Sequence, residues 1–311
     1  MNKTRWIIFA TGFLQSTLLL AGELILNPQT QLPFNLPSTQ DPRLVTACEK
    51  SGREYGRGAI FQMDSHCFRT LLDSAPASAM KQSSDEKLFA VGSKNLIFIR
   101  QAGKSGSLEK HTISGAQAGL SEIRAVSLVP ENGEVVVLDH GSSSIASFRS
   151  SLSGNVAPDR RLASVDLEQA ASIAVDAAGN ELYVSFPAEG KIRVYNLLAN
   201  TGSINKDQTV TVLREIKGPL TQLRNPVAMS YSSENGELYV ADRDSNQILV
   251  FDRKAKDNSA PVRTIAGSHT GIQGPVAVGY SAGKDEIQVI TESGSALRFS
   301  RTSKGDALPV Q

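Results

Sequence analysis

One pattern of apolar and polar stretches repeats along most of the chain. The clearest copy, residues 237–252, reads as an apolar strand, a polar turn and a second apolar strand. Its first residue, Glu237, has counterparts at Glu134, Glu181 and Glu286, and the weakest copy begins at Leu88, so five copies are visible. Self-similarity with a period of about 50 residues is the signature of a repeat architecture.

Each repeat predicts four strands, which in the fourth copy cover residues 226–232, 237–241, 247–252 and 261–266. Asn235-Gly236 between the first two strands favours a tight hairpin turn. The middle strands are apolar on both faces, which indicates sheets covered on both sides. A β-sandwich could also bury such strands, but it does not require successive similar four-strand units. We therefore predict an all-β fold, a β-propeller of four-stranded antiparallel blades.

The blade count depends on residues upstream of the clear repeats. Residues 59–63 and 68–72 resemble the last two strands of a further blade, and residues 44–47 could add a third strand. Within them, Arg69-Thr70-Leu71 matches Arg263-Thr264-Ile265 of the fourth copy. The sequence thus predicts six blades, from five clear repeats plus an N-terminal partial blade, with five blades as the open alternative.

The N-terminus has the layout of a secretory signal peptide. Lys3 and Arg5 precede an apolar stretch that runs from Trp6 to Ala21. As a helix this stretch spans only about 24 Å, short of a hydrocarbon core of about 30 Å. We expect cleavage of residues 1–22, no membrane span afterwards, and a periplasmic or secreted protein. The −3 and −1 positions of the junction would be Leu19 and Ala21 or Leu20 and Gly22, and neither is the preferred Ala-x-Ala, so an uncleaved anchor stays open.

The rest of the N-terminal part adds a linker and a cysteine pair. Residues 23–43, rich in Pro, Gln and Asn, are interpreted as an extended linker before a propeller domain at residues 44–311. Cys48 and Cys67 are the only cysteines, and in an oxidising compartment they favour a disulfide bond, with free structural thiols as the alternative. Removing the leader leaves a net charge of about −1 without a basic run, which argues against a nucleic-acid partner.

The motif of the fourth copy points to a family. Residues 225–252 combine a Pro-initiated strand, Tyr-Val-Ala-Asp, an Asn-bearing turn and Ile-Leu-Val-Phe, and this order resembles the NHL repeat of six-bladed β-propellers. The Asp of that motif, Asp242, is matched by Gly92 and Thr291 in the first and last copies. The resemblance implies a platform for protein or RNA, an extracytoplasmic sensor or scaffold, or, with added metal ligands, a lactonase-like hydrolase or lyase.

The same resemblance implies a ligand site at the mouth of the central channel. There the loops entering the innermost strands meet the turns between second and third strands. Mapping the repeat onto this geometry gives eight candidate ligand-binding residues: Arg224, Asn225, Asp242, Arg243, Asp139, His140, Gln273 and Glu292. For Asp139 and Asp242 the alternative interpretation is turn capping, in which the carboxylate accepts hydrogen bonds from nearby backbone N–H groups.

These features leave two functions open. We expect a non-enzymatic binding or scaffold propeller that engages a protein, peptide or envelope glycan at the channel mouth, without a cofactor or a catalytic residue. The alternative is a metal-dependent lactonase-like hydrolase or lyase that holds a divalent ion with Asp139, His140, Asp242 and Glu292.

Overall fold

The computed structural model of the chain describes residues 80–82, 88–93, 95–102, 108–129, 132–197 and 212–310. They form five antiparallel sheets, here called blades 1–5 in chain order. The expected signal peptide, linker, disulfide bond and N-terminal partial blade lie outside the described residues, so these remain predictions. Among the residues that are described, no helix has the length and apolar character needed to cross a membrane.

Each blade is a meander whose strands pair in chain order. Blade 1 consists of β1 (Met80–Gln82), β2 (Leu88–Ser93), β3 (Leu96–Ala102) and β4 (Leu108–Ser114). Blade 2 consists of β5 (Ile123–Val129), β6 (Glu134–Asp139), β7 (Ser144–Arg149) and β8 (Arg160–Ala163). Blade 3 consists of β9 (Ser172–Asp176), β10 (Glu181–Phe186), β11 (Lys191–Asn196) and β12 (Val212–Lys217).

Blade 4 consists of β13 (Pro226–Ser232), β14 (Glu237–Asp242), β15 (Gln247–Asp252) and β16 (Arg263–Ile265). Blade 5 has three described strands: β17 (Pro275–Ser281), β18 (Glu286–Thr291) and β19 (Ala296–Ser300). The predicted fold class is confirmed, and in blade 4 the predicted strands agree with β13 to β15 to within one residue. The fourth strand begins later than predicted, because Pro261 has no N–H to donate to a ladder.

Four hydrophobic cores join the blades in succession. All six residues of β14 are buried. Leu238 and Val240 pack toward blade 3, while Tyr239 and Ala241 pack toward blade 5, because successive side chains of a strand point to opposite faces. This double burial explains why the middle strands are apolar on both faces. Each large apolar side chain buried in this way contributes about 1.5–3 kcal/mol.

A loop of one blade also clasps the outermost strand of the blade before it. Single parallel bridges join Ile113 to Gly154, Ile216 to Asp257 and Ile265 to Gly305. The residue after each bridging partner accepts a backbone N–H with its side chain at 2.7 Å, as Asn155 does from Gln117, Asn258 from Leu220 and Asp306 from His269. In the second of these clasps Gly218 has a φ of 131°, and a Cβ there would lie 2.5 Å from the Asn258 amide oxygen, which is too close for any other residue.

The third clasp is charged, and we predict that, of the three, only this clasp contributes less to stability at low pH. His269 Nδ1 lies 2.6 Å from Asp306 Oδ2, and hydrogen bonding to His269 lowers the pKa of Asp306 below its ordinary value of 3.8. A lowered folded-state pKa gives stability that is present above the ordinary value and lost as pH falls through the folded one. Asp306→Asn restores the neutral clasp of the other copies. Thermal unfolding followed from pH 7 to pH 3 should therefore decline less steeply for this variant, and an identical decline would contradict the assignment.

Candidate functional site

Two kinds of loop meet at one end of the blades, which we call the mouth. The loop that enters a first strand bonds through its backbone to the turn between the second and third strands. These bonds run from His140 N to Glu122 O (2.8 Å), from Arg243 N to Asn225 O (3.0 Å) and from Glu292 N to Gly274 O (2.8 Å). The candidate residues on the two sets of loops therefore lie at the same end of the propeller.

In blade 2 the mouth loops are held by Asp139, which is fully buried. Its carboxylate accepts the backbone N–H groups of Ser121 (3.0 Å) and Glu122 (2.6 Å) and the hydroxyl of Ser142 (2.6 Å). Burial lowers the pKa of Arg161, and the nearby charge of Asp139 opposes this effect. Asp139 is thus occupied in tying the entering loop to the turn.

Asp242 has the same role in blade 4. It is fully buried, and its Oδ2 accepts the backbone N–H groups of Arg224 (2.7 Å) and Asn225 (3.0 Å). Its Oδ1 and the Ser245 hydroxyl are buried without a hydrogen-bond partner among the described residues. Ser245 corresponds to Ser142 of blade 2, so a rotation of its side chain would complete the same bond. The capping interpretation therefore accounts for both aspartates.

Five of the eight candidate residues lie where blades 4 and 5 adjoin, together with two further polar residues. We call this group the blade 4–5 rim, and it comprises Arg224, Asn225, Arg243, Gln273 and Glu292 with Asp244 and Asn246. Three contacts build it: Asn225 Nδ2 donates to Asp244 Oδ1 (2.8 Å), Asn246 Oδ1 accepts the Gly274 N–H (2.7 Å), and Arg243 forms an ion pair with Glu292. The last two contacts connect the blades. The role of Asn246 was not evident from the sequence, where it reads only as a turn residue.

The ion pair at the rim is open to solvent. The side chains of Arg243 and Glu292 are 49% and 42% exposed, so both can reach a molecule in the mouth. Arg224 and Gln273 are also exposed, on the loops that enter β13 and β17. The rim therefore combines two carboxylates, two guanidinium groups and amide groups on one surface.

The remaining candidate, His140, is separate from this rim. It is half-buried on the mouth turn of blade 2, two blades away, and its Nδ1 has no hydrogen-bond partner among the described residues. Across the described part of the chain, no group of three or more His, Cys, Asp or Glu side chains is arranged to hold a metal ion. The set Asp139, His140, Asp242 and Glu292 thus does not form a metal centre in this structure.

Charged pairs that the sequence interpretation did not single out lie within the blades. A Glu at the start of the second strand pairs across the third strand with an Arg of the fourth, and we call these pairs the Glu–Arg row. Its members are Glu134–Arg160 in blade 2, Glu181–Arg214 in blade 3 and Glu237–Arg263 in blade 4. The repeated Glu is visible in the sequence, but its partner is about 30 residues away. The row fastens the outermost strand of each of these blades.

Tyrosines extend the Glu–Arg row from blade to blade. The Tyr239 hydroxyl donates to Glu237 (2.8 Å), and the rings of Tyr239 and Tyr280 stack with centroids 5.5 Å apart. Burial, followed by a hydrogen bond to Asp285, raises the pKa of Tyr280 to about 12. These hydroxyls therefore stay protonated as donors, which is a structural role.

Comparison with known families now adds to this geometry. The family model described as lactonase, 7-bladed beta-propeller, matches residues 96–276, more than half of the chain. The chain belongs to this lactonase propeller family. No individual curated protein matches the sequence. The match confirms the propeller, but it is to the lactonase family and not to the NHL-repeat family that the motif resembles. The lactonase propeller family is described with seven blades, and the described residues form five.

Proposed function

We propose that this member of the lactonase propeller family hydrolyses a lactone or a related ester at the blade 4–5 rim. The single observation that carries the proposal is the family match over residues 96–276. Hydrolysis of such a ring needs a base that activates water and a positive group that stabilises the oxyanion of the tetrahedral intermediate. The rim offers both types of group, on exposed side chains beside one another.

In this proposal Glu292 acts as the base and Arg243 as the group that stabilises the oxyanion. The two side chains form an ion pair at the rim, so the carboxylate and the guanidinium lie side by side. Arg224 lies on the loop whose backbone bonds to Arg243, and it would hold the polar substituents of the ring. Asp139 and Asp242 would not contact the substrate, because both are buried and bonded to loop backbone.

The test is the hydrolysis of a panel of lactones, such as δ-gluconolactone, γ-butyrolactone and dihydrocoumarin, followed by the release of acid. Glu292→Gln should reduce kcat about 100-fold, within the range usual for loss of a general base. A matched control is Asp159→Asn, which removes an exposed ion pair with Arg149 outside the mouth (3.3 Å) and should leave the rate unchanged. An equal loss in both variants, or no lactone hydrolysis by the unaltered protein, would reject the proposal. Inhibition by EDTA would favour the metal-dependent form.

A second candidate is a binding propeller without catalysis, as expected from the NHL-like motif of blade 4. It is favoured by the two buried aspartates, which fix the mouth loops and so present Arg224 and Asn225 on a rigid surface. A protein, peptide or envelope glycan would be the partner. Proteins that co-purify with the exported chain should be lost from an Arg224→Ala, Arg243→Ala double variant, whereas unchanged capture would exclude this surface.

We also propose that the chain is exported from the cytoplasm, as the pattern at its N-terminus predicts. We propose that residues 1–22 are removed and that Cys48 and Cys67 form a disulfide bond in the mature protein. N-terminal sequencing of the exported protein and thiol titration under denaturing conditions test the two statements separately.

A further inference from the structure

The backbone of Gly274 is held on both sides at the blade 4–5 rim. Its N–H donates to the side-chain oxygen Oδ1 of Asn246 (2.7 Å), and its carbonyl accepts the backbone N–H of Glu292 (2.8 Å). Asn246 belongs to the mouth turn of blade 4, Gly274 to the loop that enters blade 5, and Glu292 to the mouth turn of blade 5. Two successive hydrogen bonds therefore connect Asn246 to the backbone of Glu292.

The side chain of Glu292 also lies directly on Gly274. This glycine has a φ of 53°, and a Cβ built on it would lie 2.6 Å from Cδ of Glu292. Any other residue there would strain the backbone and displace the carboxylate from its place. The position of Glu292 thus depends on the position of Gly274, through the backbone and through the side chain.

The turn that carries Asn246 also carries Arg243. The Asn246 N–H donates to the carbonyl oxygen of Arg243 (3.2 Å), which closes the turn. Asn246 lies in the left-handed region with a φ of 52°, a conformation that Asn tolerates better than most residues. One turn therefore presents Arg243 to its ion-pair partner Glu292 and also holds the loop on which Glu292 lies.

Blade 4 differs in this respect from blades 2 and 3. The residue that corresponds to Asn246 is Ser143 in blade 2 and Gly190 in blade 3, and both also have a positive φ. The Ser143 hydroxyl reaches only the side chain of Glu168, at 3.4 Å, and Gly190 has no side chain that could form a bond. Among the described mouth turns of these three blades, only that of blade 4 uses this side chain to bind the backbone of the next loop. It is the turn beside Glu292.

We propose that Asn246 is a positioning residue, which fixes the Glu292 carboxylate beside Arg243 through Gly274. The inference rests on the proposed function, because Glu292 is the base of that hydrolysis. A general base must lie within hydrogen-bond reach of the proton that it removes, and a displacement of about 1 Å can lower a rate about 100-fold. In this role Asn246 acts on the rate only through Glu292.

Two substitutions of Asn246 separate its side-chain bond from its backbone conformation. Asn246→Gly keeps the left-handed turn, which Gly adopts readily, but removes the acceptor. On the lactone that the unaltered protein hydrolyses fastest, this variant should lower kcat about 10-fold and leave KM nearly unchanged. Asn246→Asp keeps an acceptor oxygen for the same N–H and should restore most of kcat.

Ser143→Gly is the matched control, because it makes the same kind of change in blade 2 and should leave kcat unchanged. Both Asn246 variants should shift the thermal midpoint by less than about 2 °C, since Asn246 is exposed, so a lower rate would not reflect unfolded protein. An unchanged kcat in Asn246→Gly would overturn the proposal and leave the proposed function intact. A kcat in Asn246→Asp as low as that of Asn246→Gly would also overturn it.

Hydrogen exchange gives an answer that does not depend on activity. The amides of Gly274 and Glu292 should exchange about 5-fold faster in Asn246→Gly than in the unaltered protein. The amide of Ser121, which Asp139 holds in blade 2, should not change. If the unaltered protein hydrolyses no lactone, the proposed function fails, and this measurement still decides whether Asn246 positions Glu292. Unchanged exchange at both rim amides would overturn the proposal.

Discussion

An Arg214→Ala variant is expected to lose about 3 kcal/mol of unfolding free energy, because one side chain joins two strands of blade 3 to a loop of blade 4. Its guanidinium donates to both carboxylate oxygens of Glu181 (2.5 and 2.7 Å) and to the backbone oxygens of Ala255 (3.1 Å) and Arg253 (2.5 Å). Removing one partner of a half-buried pair leaves the other charge unpaired. Urea unfolding followed by fluorescence or circular dichroism measures the loss.

The pH dependence of the same variant supplies an independent check. Burial alone would raise the pKa of Glu181, but hydrogen bonds from Arg214 and Tyr183 outweigh it and lower that pKa below its ordinary value of 4.5. The stability that the carboxylate contributes is therefore present above pH 4.5 and lost as pH falls through the folded-state value. The variant should lose less stability than the unaltered protein between pH 5 and pH 3. The exposed Arg149→Ala is the control, and a loss of equal size there would contradict this account.

Asp139→Ala is expected to lower the free energy of unfolding by about 3 kcal/mol. The variant leaves the backbone N–H groups of Ser121 and Glu122 without their buried acceptor, and each such group costs about 1–3 kcal/mol. Asp139→Asn keeps one acceptor oxygen, so it should lose less. Chemical denaturation at neutral pH measures all variants.

Asp244→Ala is the matched control for this prediction. Asp244 is exposed at the rim and accepts a single hydrogen bond, from Asn225 Nδ2 (2.8 Å), so its loss should cost less than about 0.5 kcal/mol. If Asp139→Ala were as mild as Asp244→Ala, Asp139 would be free to act on a ligand, and the capping assignment would be wrong.

Much of the fold could be predicted from the sequence because the repeat fixes both strand positions and turn chemistry. The motif of blade 4 locates β13, β14 and β15, and its doubly apolar strands require neighbours on both sides. The same pattern cannot show which face of the sheet a side chain occupies when the turn before its strand changes length. In blade 1 only two residues separate the paired Ser93 and Leu96, whereas four separate Asp139 and Ser144 in blade 2.

This shorter turn shifts the register of blade 1 by one residue relative to a gap-free alignment of the repeats. That alignment places Phe98 on Ile248, whose side chain packs toward the following blade. In the structure Ile97 and Ile99 pack toward blade 2 instead. Because side chains alternate across a strand, a shift of one position exchanges the two faces of the sheet.

The candidate site could be predicted only in part. Loop positions follow from the repeat, so the sequence identifies residues at the mouth such as Arg243 and Glu292. It cannot show which of them face solvent and which, like Asp242, are buried and accept hydrogen bonds from the backbone. The partners of Glu181 and Glu237 were likewise hidden, because each pairs with a residue beyond the intervening strand.

The clasps between consecutive blades lie on the outermost strands, far along each meander from the innermost strand. Part of the contact between consecutive blades is thus made at the outer edge of the propeller, without Arg243, Asp244 or Glu292. Exposed residues of the mouth turns, between the second and third strands, can therefore be exchanged with little effect on folding. The buried aspartate before such a turn must be kept where a blade has one. Different residues thus determine the stability of the fold and the specificity for a ligand. Related chains can acquire new specificities by substitution of a few mouth-turn residues, without change to the strands that hold the blades together.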